Sequence, residues 1–278
     1  KRKAVQGLRI TDREGKTHEV YAHAVIDATQ DADIAAAAGV PYSFGREDLG
    51  QPEARMAVTA VIRLTGVTQE VWERISERVE EEDAGRNLYG YNEMSIWGMN
   101  DMQNYEPVLY PERLRMRGLN IGRQNDESML INALQIFDVD PLDPASKAEA
   151  IQMAEEEAPH ILAELKSRYP EFSTLKLGGI APELYVRESR HIYGEYRLSM
   201  EDVLENKDHW DRIAFGSYPV DIQRTSPDDW GQVVSNPVQY AIPYRSIVPL
   251  EVDHLLVVGK AASFDSLPHG SARVIPVG

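Results

Sequence analysis

Two short, predominantly apolar segments lie far apart in the chain, and each runs directly into a loop of small and polar residues. They cover 24–28 and 255–258, and the loops begin near Thr29 and Gly259. Strands that are apolar along their length are typical of a parallel sheet covered on both faces. Ligands of such sheets bind at the carboxyl edge of the strands. We therefore predict that Thr29 and Gly259 lie side by side, in two walls of one cofactor site.

The remaining hydrophobic pattern predicts further strands and helices. The predicted strands cover 5–10, 20–26, 56–64, 128–139, 175–186, 212–222 and 239–248, and the predicted helices cover 31–38, 67–82 and 146–169. Asp31 or Asp33 is expected to cap the first helix, and Gly39 is expected to end it in a left-handed conformation. Ser146 has the spacing of a capping box, and Pro159 predicts a kink or a break in the last helix.

The order of these elements predicts the domain organisation. The central part of the chain mixes strands and helices without regular alternation, which indicates an α+β domain inserted between two parts of an α/β domain. We predict that 1–42 and 246–278 form the discontinuous α/β domain and that 43–245 form the inserted α+β domain.

Composition excludes several classes of partner and chemistry. The net charge of −16 argues against nucleic acid and anionic membrane surfaces, because these attract Lys and Arg. No apolar run approaches the roughly 18 residues that a membrane span needs. The chain has no cysteine, so disulfides, thiolate metal sites and thiol nucleophiles are excluded. Redox chemistry would therefore require a bound organic cofactor.

The familiar metal and catalytic motifs are missing from the sequence. The alternating carboxylates between Asp27 and Asp33 imitate a calcium loop, but Ala32 and Ala38 replace the Gly and the Glu that such a loop needs. We predict no metal site. The sequence also contains no Gly-x-Ser-x-Gly elbow, no Gly-x-Gly-x-x-Gly loop and no P-loop.

The densest polar cluster runs from Arg187 to Arg197. On a strand, Arg187, Ser189 and His191 would share one face, and Glu188 and Arg190 would share the other. The cluster has two interpretations. It is either an ion-pair ladder on the surface or a donor-rich wall for an anionic ligand, since arginine offers a fixed two-pronged fork.

Several segments, in this order along the chain, are similar to one family. Residues 27–31, Asp-Ala-Thr-Gln-Asp, resemble the Asp-Ala-Thr-Gly-Asp segment of FAD-dependent oxidoreductases of the two-dinucleotide-binding, glutathione-reductase-like type. Residues 187–196 are similar to the family's Arg-x-Ser-Arg-x-x-x-Gly-x-Tyr stretch. The segments 211–214, 218–223, 242–246 and 255–276 also fit its pattern.

The resemblance implies a fold, a cofactor and a set of site residues. The fold would be a partial FAD-binding Rossmann-like domain with a large inserted substrate domain, and electrons would pass through the isoalloxazine ring of a bound FAD. The implied cofactor-binding residues are Ala28, Thr29, Gln30, Gly259, Lys260, Ser271, Arg273 and Pro276, and the implied substrate-contacting residues are Arg190, His191 and Arg245. Ala28 and Thr29 would line the adenosine side, Gly259 would allow close approach of the backbone, and Ser271, Arg273 and Pro276 would lie near the flavin.

The chain also departs from the family pattern. Gln30 stands at the family's Gly position, and Gln223 stands where a His is common. The family's Gly-rich βαβ unit and its final helix are not in this sequence. We therefore expect a segment of a larger enzyme that by itself binds FAD weakly or not at all.

These observations predict the function of the parent protein. We expect an FAD-dependent oxidoreductase that acts on a small organic substrate in the cytoplasm, with its oligomeric state left open. One alternative is a non-catalytic binding fragment with the same fold. A carbohydrate-processing enzyme is a further alternative, indicated only by the abundant Asp and Glu and by four tryptophans.

Overall fold

Short strands make up much of the regular structure. The computed structural model describes residues 2–274. In chain order the strands are β1 (Lys3–Ala4), β2 (Gly7–Thr11), β3 (Thr17–Tyr21), β4 (Val25–Asp27), β5 (Tyr42–Phe44), β6 (Val58–Thr65), β7 (Gly90–Tyr91), β8 (Ser95–Gly98), β9 (Leu114–Met116), β10 (Leu119–Arg123), β11 (Ser128–Ile136), β12 (Lys176–Ile180), β13 (Arg190–Ile192), β14 (Arg212–Gly216), β15 (Asp221–Ile222), β16 (Gln232–Val233), β17 (Tyr240–Pro243), β18 (Val252–Asp253) and β19 (Leu255–Val257).

The helices vary from one turn to seven turns. The α-helices are α1 (Asp33–Ala38), α2 (Gln69–Asp83), α3 (Pro144–Arg168), α4 (Met200–Leu204) and α5 (Ser266–Ala272), and 3-10 turns cover Glu47–Leu49, Asn100–Asn104, Pro170–Phe172, Tyr244–Ser246 and Gly259–Ala261. None of the helices within residues 2–274 combines the length and the apolar character that crossing a bilayer requires.

The elements form two compact units. Unit 1 contains the residues up to Met56, Arg187–Thr225 and the residues from Asp229 onward, and unit 2 contains Ala57–Val186 and Ser226–Asp228. The domains predicted from the sequence are divided at other positions, so 43–56 and most of 187–245 belong to unit 1. The functional assignment of the predicted domains stays a prediction.

The parallel pairing predicted for the two apolar segments is confirmed in unit 1. β4 and β19 form a two-stranded parallel sheet in which Leu255 lies opposite Val25 and Val257 lies opposite Asp27. The ladder ends at Asp27 and Val257, and beyond it the Val258 amide donates to the Asp27 carbonyl, so the loops that contain Thr29 and Gly259 begin at the same point of the sheet. The two loops therefore leave the sheet at the same rim. The prediction that this sheet is buried on both faces is wrong, because Ile26 on β4 is 62% exposed.

The start of α1 is stabilised differently from the prediction. Its N-cap is Ala32 in a left-handed conformation, and neither predicted aspartate caps the helix with its side chain. Instead, Thr29 Oγ1 accepts a hydrogen bond from the Asp33 amide, and the Asp27 carboxylate accepts one from the Ala35 amide. The predicted end of the helix at a left-handed Gly39 is confirmed.

Unit 2 is built around an antiparallel sheet. Its strand order is β12-β6-β11-β10-β8-β7, and β9 pairs with β11 beside this path. The strands alternate buried and less buried positions, and the buried apolar side chains of β6 and β11 pack with those of α2 and α3 in one core. Burial of this apolar surface is the main source of the unit's stability.

The longest helix, α3, differs from its prediction at two positions. Asp143 is its N-cap and accepts a hydrogen bond from the Ala145 amide, whereas Ser146 accepts one from the Asp140 amide. The helix also runs through Pro159 as a single element, without the predicted break into two helices. On either side of the proline, the buried side chains of Ala154 and Ile161 pack in the core of unit 2.

Two predicted strands of unit 1 are shorter than expected. The prediction over 212–222 is divided into β14 and β15, which pair with β17 and β16 respectively. Pro219 lies between the two pieces, and Pro243 is the last residue of β17. Since proline has no amide hydrogen to donate to a neighbouring strand, both positions interrupt the ladder.

Candidate functional site

A buried carboxylate organises the rim where β4 and β19 end. Asp27 is 1% exposed and accepts hydrogen bonds from the Thr29 amide at 2.9 Å, the Thr29 hydroxyl at 2.6 Å and the Ala35 amide at 2.8 Å. These contacts join the end of the strand to the first turn of α1. The loop is therefore held in a fixed shape by its own strand.

A second polar network joins three segments at this rim. The Lys260 ammonium donates to Asp31 at 3.0 Å and to Ser189 at 2.8 Å, and the Ser189 hydroxyl donates to Asp31 at 2.6 Å. Burial lowers the pKa of Lys260, while the charge of Asp31 opposes that shift. The network fixes the loop after β4, the loop after β19 and the segment before β13 against one another.

Arg190, predicted to contact substrate, is engaged with the same rim. Its guanidinium donates to the Asp31 carbonyl at 2.7 Å and to the Asp33 carboxylate at 2.9 Å, and it lies over the ring of Tyr42. Burial lowers the pKa of Arg190, but Asp33 and Tyr42 raise it by more, so the net shift is upward. Arg190 is thus paired with the loop after β4, and its role as a substrate contact stays a prediction.

The predicted adenosine-side residues differ in accessibility. Ala28 and Gln30 are exposed, and Thr29 is partly exposed. Gly259 has a φ of 81° and no heavy atom within 4 Å of the place where a Cβ would lie. Its backbone is therefore open to close approach by a ligand, in a conformation that favours glycine. The open backbone of Gly259 and the nearby cation of Lys260 together fit the phosphate side of a dinucleotide.

Of the residues predicted to lie near the flavin, Ser271 and Arg273 form hydrogen bonds and an ion pair with other residues of unit 1. The buried Ser271 hydroxyl accepts from the Tyr240 hydroxyl at 2.6 Å and donates to the Tyr218 carbonyl at 2.5 Å. Arg273 lies 3.3 Å from a carboxylate oxygen of Asp221. Pro276 lies outside the described residues.

Arg245, also predicted to contact substrate, has a different set of partners from Arg190. Its guanidinium forms a two-pronged ion pair with Asp211 at 2.9 and 3.2 Å, and it lies over the rings of Tyr196 and Trp210. Hydrogen bonding and charge from Arg245 hold the pKa of Asp211 below its usual value, against the opposing effect of burial. The structure thus gives Arg190 and Arg245 no common partner among the contacts described.

His191, the third predicted substrate contact, lies in a buried cluster. Its Nε2 is 3.3 Å from Glu188 Oε1, and its ring packs edge-on against His269 with ring centres 4.6 Å apart. Burial lowers the pKa of His269 well below its usual value, and the charges of His191, Arg273 and Lys260 lower it further. The His269 ring is therefore neutral at pH 7.

Two expectations for the polar cluster are wrong. Arg187, Glu188, Ser189 and His191 are all less than 5% exposed, which rules out an ion-pair ladder on the surface for this part of the cluster. Glu188 also meets His191, although regular alternation would put them on opposite faces. The regular strand begins only at Arg190, so alternation does not extend to the preceding residues. Sequence reasoning missed both Glu188 and His269 as site residues, and the Glu-x-x-His spacing was the one available signal.

The fold is mixed α/β, and the rim lies at the carboxyl edge of two parallel strands, which is the position where nucleotide cofactors bind in doubly wound sheets. The family model described as FAD dependent oxidoreductase matches residues 1–278, so the chain belongs to that family. The family assignment predicted from the motifs is confirmed, and with it FAD as the cofactor of the parent protein and a flavin-linked redox role. The narrower glutathione-reductase-like type stays a prediction. Neither a curated protein nor a solved structure matches the chain.

Proposed function

We propose that this chain is part of an enzyme that transfers electrons between a small organic substrate and FAD bound along the rim formed after β4 and β19. The observation that supports this most directly is the parallel pairing of β4 and β19, after which the loops with Thr29 and Gly259 leave the same edge of the sheet. When bound, FAD supplies the electron acceptor that a chain without cysteine does not have.

The residues of the rim have distinct proposed roles. Ala28, Thr29 and Gln30 bind the adenosine side, and Gly259 lets the cofactor approach the backbone. Lys260 stabilises the anionic phosphates while Asp31 and Ser189 hold its ammonium in place. The resemblance to the family implies this division of roles, and the exposure of Ala28 and Gln30 and the partners of Lys260 are compatible with it.

The residues proposed to lie near the flavin and the substrate are less exposed than Ala28 and Gln30 and already have partners within unit 1. Ser271 and Arg273 shape the wall beside the flavin, since their polar groups already contact Tyr240 and Asp221. Arg190, His191 and Arg245 are the proposed substrate contacts. Of these, Arg190 has the most direct connection to the rim, through the Asp31 carbonyl.

We assign substrate binding to the predicted inserted domain, 43–245, which contains Arg190, His191 and Arg245. Unit 2, which lies within the same range, also has a cavity of its own. The cavity measures about 930 Å³ and is lined by residues of α2, β7 and the segments around β8 and β10, including Ser76, Tyr91, Met94 and Arg123. This volume lies in the range of sites for small organic molecules. A small-molecule substrate is therefore the proposed partner.

Two glycines provide a matched test of the cofactor site. Gly259 and Gly15 both have a φ of 81° and open space at the Cβ position, but Gly15 lies in the turn between β2 and β3. In the full-length enzyme, Gly259→Ala should weaken FAD binding about tenfold, equivalent to one or two lost hydrogen bonds, whereas Gly15→Ala should not. Flavin absorbance per chain and FAD titration measure this difference. Equal flavin content in both variants would refute the proposed placement.

A second variant separates the enzyme from the non-catalytic alternative. Arg190→Ala in the full-length enzyme should lower turnover and leave the flavin content intact, while Arg212→Ala, which removes an exposed partner of Asp208, should change neither. A flavin that no organic substrate reduces would favour the non-catalytic fragment. The prediction that this segment alone binds FAD weakly is checked by the same titration on the 278-residue chain.

A further inference from the structure

Three potential metal ligands meet in the interior of unit 1. Glu188 and His191 come from the segment that forms β13, and His269 comes from α5. One ligand atom from each residue lies within 4.8 Å of the others. All three residues are at most 4% exposed. The cluster lies outside the set of residues that the proposed function assigns to FAD, and only His191 has a role there.

The cluster has unused hydrogen-bonding capacity. Glu188 Oε2 and His191 Nδ1 have no hydrogen-bond partner among the described residues, and the His269 ring has only the backbone of Lys260, without good hydrogen-bond geometry. Buried polar atoms in folded proteins nearly always have partners, and a group that lacks one points to a water, an ion or a functional role. Unused hydrogen-bonding capacity on all three residues of one cluster therefore indicates a missing ligand.

The types of ligand atom define the class of that ligand. Two imidazoles and one carboxylate form the two-histidine, one-carboxylate set that binds Fe²⁺ and also suits Zn²⁺. The buried carboxylate of Glu188 interacts electrostatically with Lys260, but that ammonium is already paired with Asp31, so a divalent cation would supply the positive charge in direct contact with Glu188. We propose that Glu188, His191 and His269 form a binding site for one divalent transition-metal ion of the Zn²⁺ or Fe²⁺ class.

The distances are compatible with this proposal. Metal–ligand bonds of about 2.0–2.2 Å place neighbouring ligand atoms about 3–3.5 Å apart. His191 Nε2 and Glu188 Oε1 are 3.3 Å apart and already meet this requirement. His269 Nδ1 is 4.0 Å from the same oxygen, and all three ligand atoms lie within 4.8 Å of one another, so a movement of about one ångström, which side-chain motion allows, would complete the site.

Two nearby cations oppose metal binding, but their charges are compensated. Lys260 and Arg273 both act electrostatically on His269. Lys260 forms an ion pair with Asp31, and Arg273 forms one with Asp221. The alternative occupant is a proton, which would make the cluster a structural Glu188–His191 ion pair.

Metal titration of the 278-residue chain distinguishes these two states. After removal of metals with a chelator, the wild-type chain should bind one equivalent of Co²⁺ and develop a visible absorption spectrum that Zn²⁺ abolishes. Addition of Zn²⁺ should also raise the melting temperature, as expected for a ligand that binds only the folded state. The absence of one-to-one binding by calorimetry would overturn the proposal without any variant.

Matched variants locate the ion. Glu188→Gln and His269→Gln should each weaken Co²⁺ binding by at least about tenfold. His209→Gln serves as the control, because His209 is also buried and lies 3.9 Å from Asp202, but that carboxylate already has Lys207 as its cation. Circular dichroism of the metal-free proteins confirms that each variant is folded. Equal loss in the control, or unchanged binding in both ligand variants, would place the metal elsewhere and refute this site.

Discussion

Two buried glutamates, one in each unit, have opposite environments. In unit 2, Glu157 accepts hydrogen bonds from the Tyr105 hydroxyl at 2.5 Å, the Val108 amide at 2.7 Å and the Leu109 amide at 2.9 Å. In unit 1, Glu188 contacts His191 at 3.3 Å, and its second oxygen has no partner among the described residues. The two side chains are equally hidden from solvent, so burial alone does not distinguish them.

The difference between them separates structural from functional burial. Glu157 accepts hydrogen bonds from backbone amides of an irregular segment, which has no neighbouring strand to pair with. This role is structural. Its contact with Tyr105 adds to the effect of burial in raising the pKa of that phenol, so the phenol stays a donor. Glu188 satisfies no backbone group in this way. A buried acceptor with free capacity is a candidate for ligand binding.

The largest predicted effect follows from the complete environment of Glu157. Glu157→Ala leaves one hydroxyl and two amides without acceptors, and each such group costs about 1–3 kcal/mol, so we expect a loss of about 3–9 kcal/mol in the free energy of unfolding. Urea denaturation measures it. Glu156→Ala, at the exposed neighbouring position, should change stability by less than about 1 kcal/mol. Equal effects at both positions would remove the contrast on which the comparison depends.

A third buried carboxylate shows that unit 1 can also satisfy such groups. Asp202 accepts from the Lys207 ammonium at 2.7 Å, the Tyr196 hydroxyl at 2.8 Å and the Ser199 amide at 2.9 Å. Burial raises the pKa of Asp202, but Lys207, Ser199 and Tyr196 lower it by more, so it lies below its usual value. The incomplete environment of Glu188 is therefore a property of its site and not of unit 1.

The pH dependence of stability tests this interpretation. Because the pKa of Asp202 is lower in the folded state, its contribution is fully present above about pH 4 and is lost as the pH falls through the folded value. At pH 7, Asp202→Asn should cost about 1–3 kcal/mol, and this difference from wild type should shrink below about pH 4. Urea denaturation at a series of pH values measures it. A constant difference down to the acid limit would contradict the assignment, and Asp208→Asn, an exposed control, should show neither effect.

The rim of the sheet could be predicted from local sequence, whereas its internal support could not. An apolar strand followed by small polar residues was enough to bring Thr29 and Gly259 to one edge, since parallel strands expose their carboxyl ends together. The helix cap was mispredicted because the usual rule considers the residue next to the helix. Asp27, at the end of the preceding strand, reaches the Ala35 amide instead.

The metal cluster depends on contacts that local patterns do not encode. Glu188 and His191 are separated by the spacing of a helical turn within a segment that resembles a strand, so alternation assigned them to opposite faces. His269 joins them from a distant helix, and only the packing of α5 brings it there. Residues that meet through tertiary packing can be identified as candidates by type, but their partners require a structure.

The smallest predicted effect belongs to Glu188 and decides how the comparison is interpreted. In metal-free protein, Glu188→Gln should change the free energy of unfolding by less than about 1 kcal/mol, because it removes one contact and also the desolvation of a buried charge. The isosteric Glu157→Gln should lower the free energy of unfolding by more. It replaces one of the two accepting oxygens with an amide nitrogen, which cannot accept a hydrogen bond. A loss of about 3–5 kcal/mol at Glu188 would instead mean that a buried His191 cation had been left unpaired. That result, from urea denaturation at pH 7, would make Glu188 as structural as Glu157.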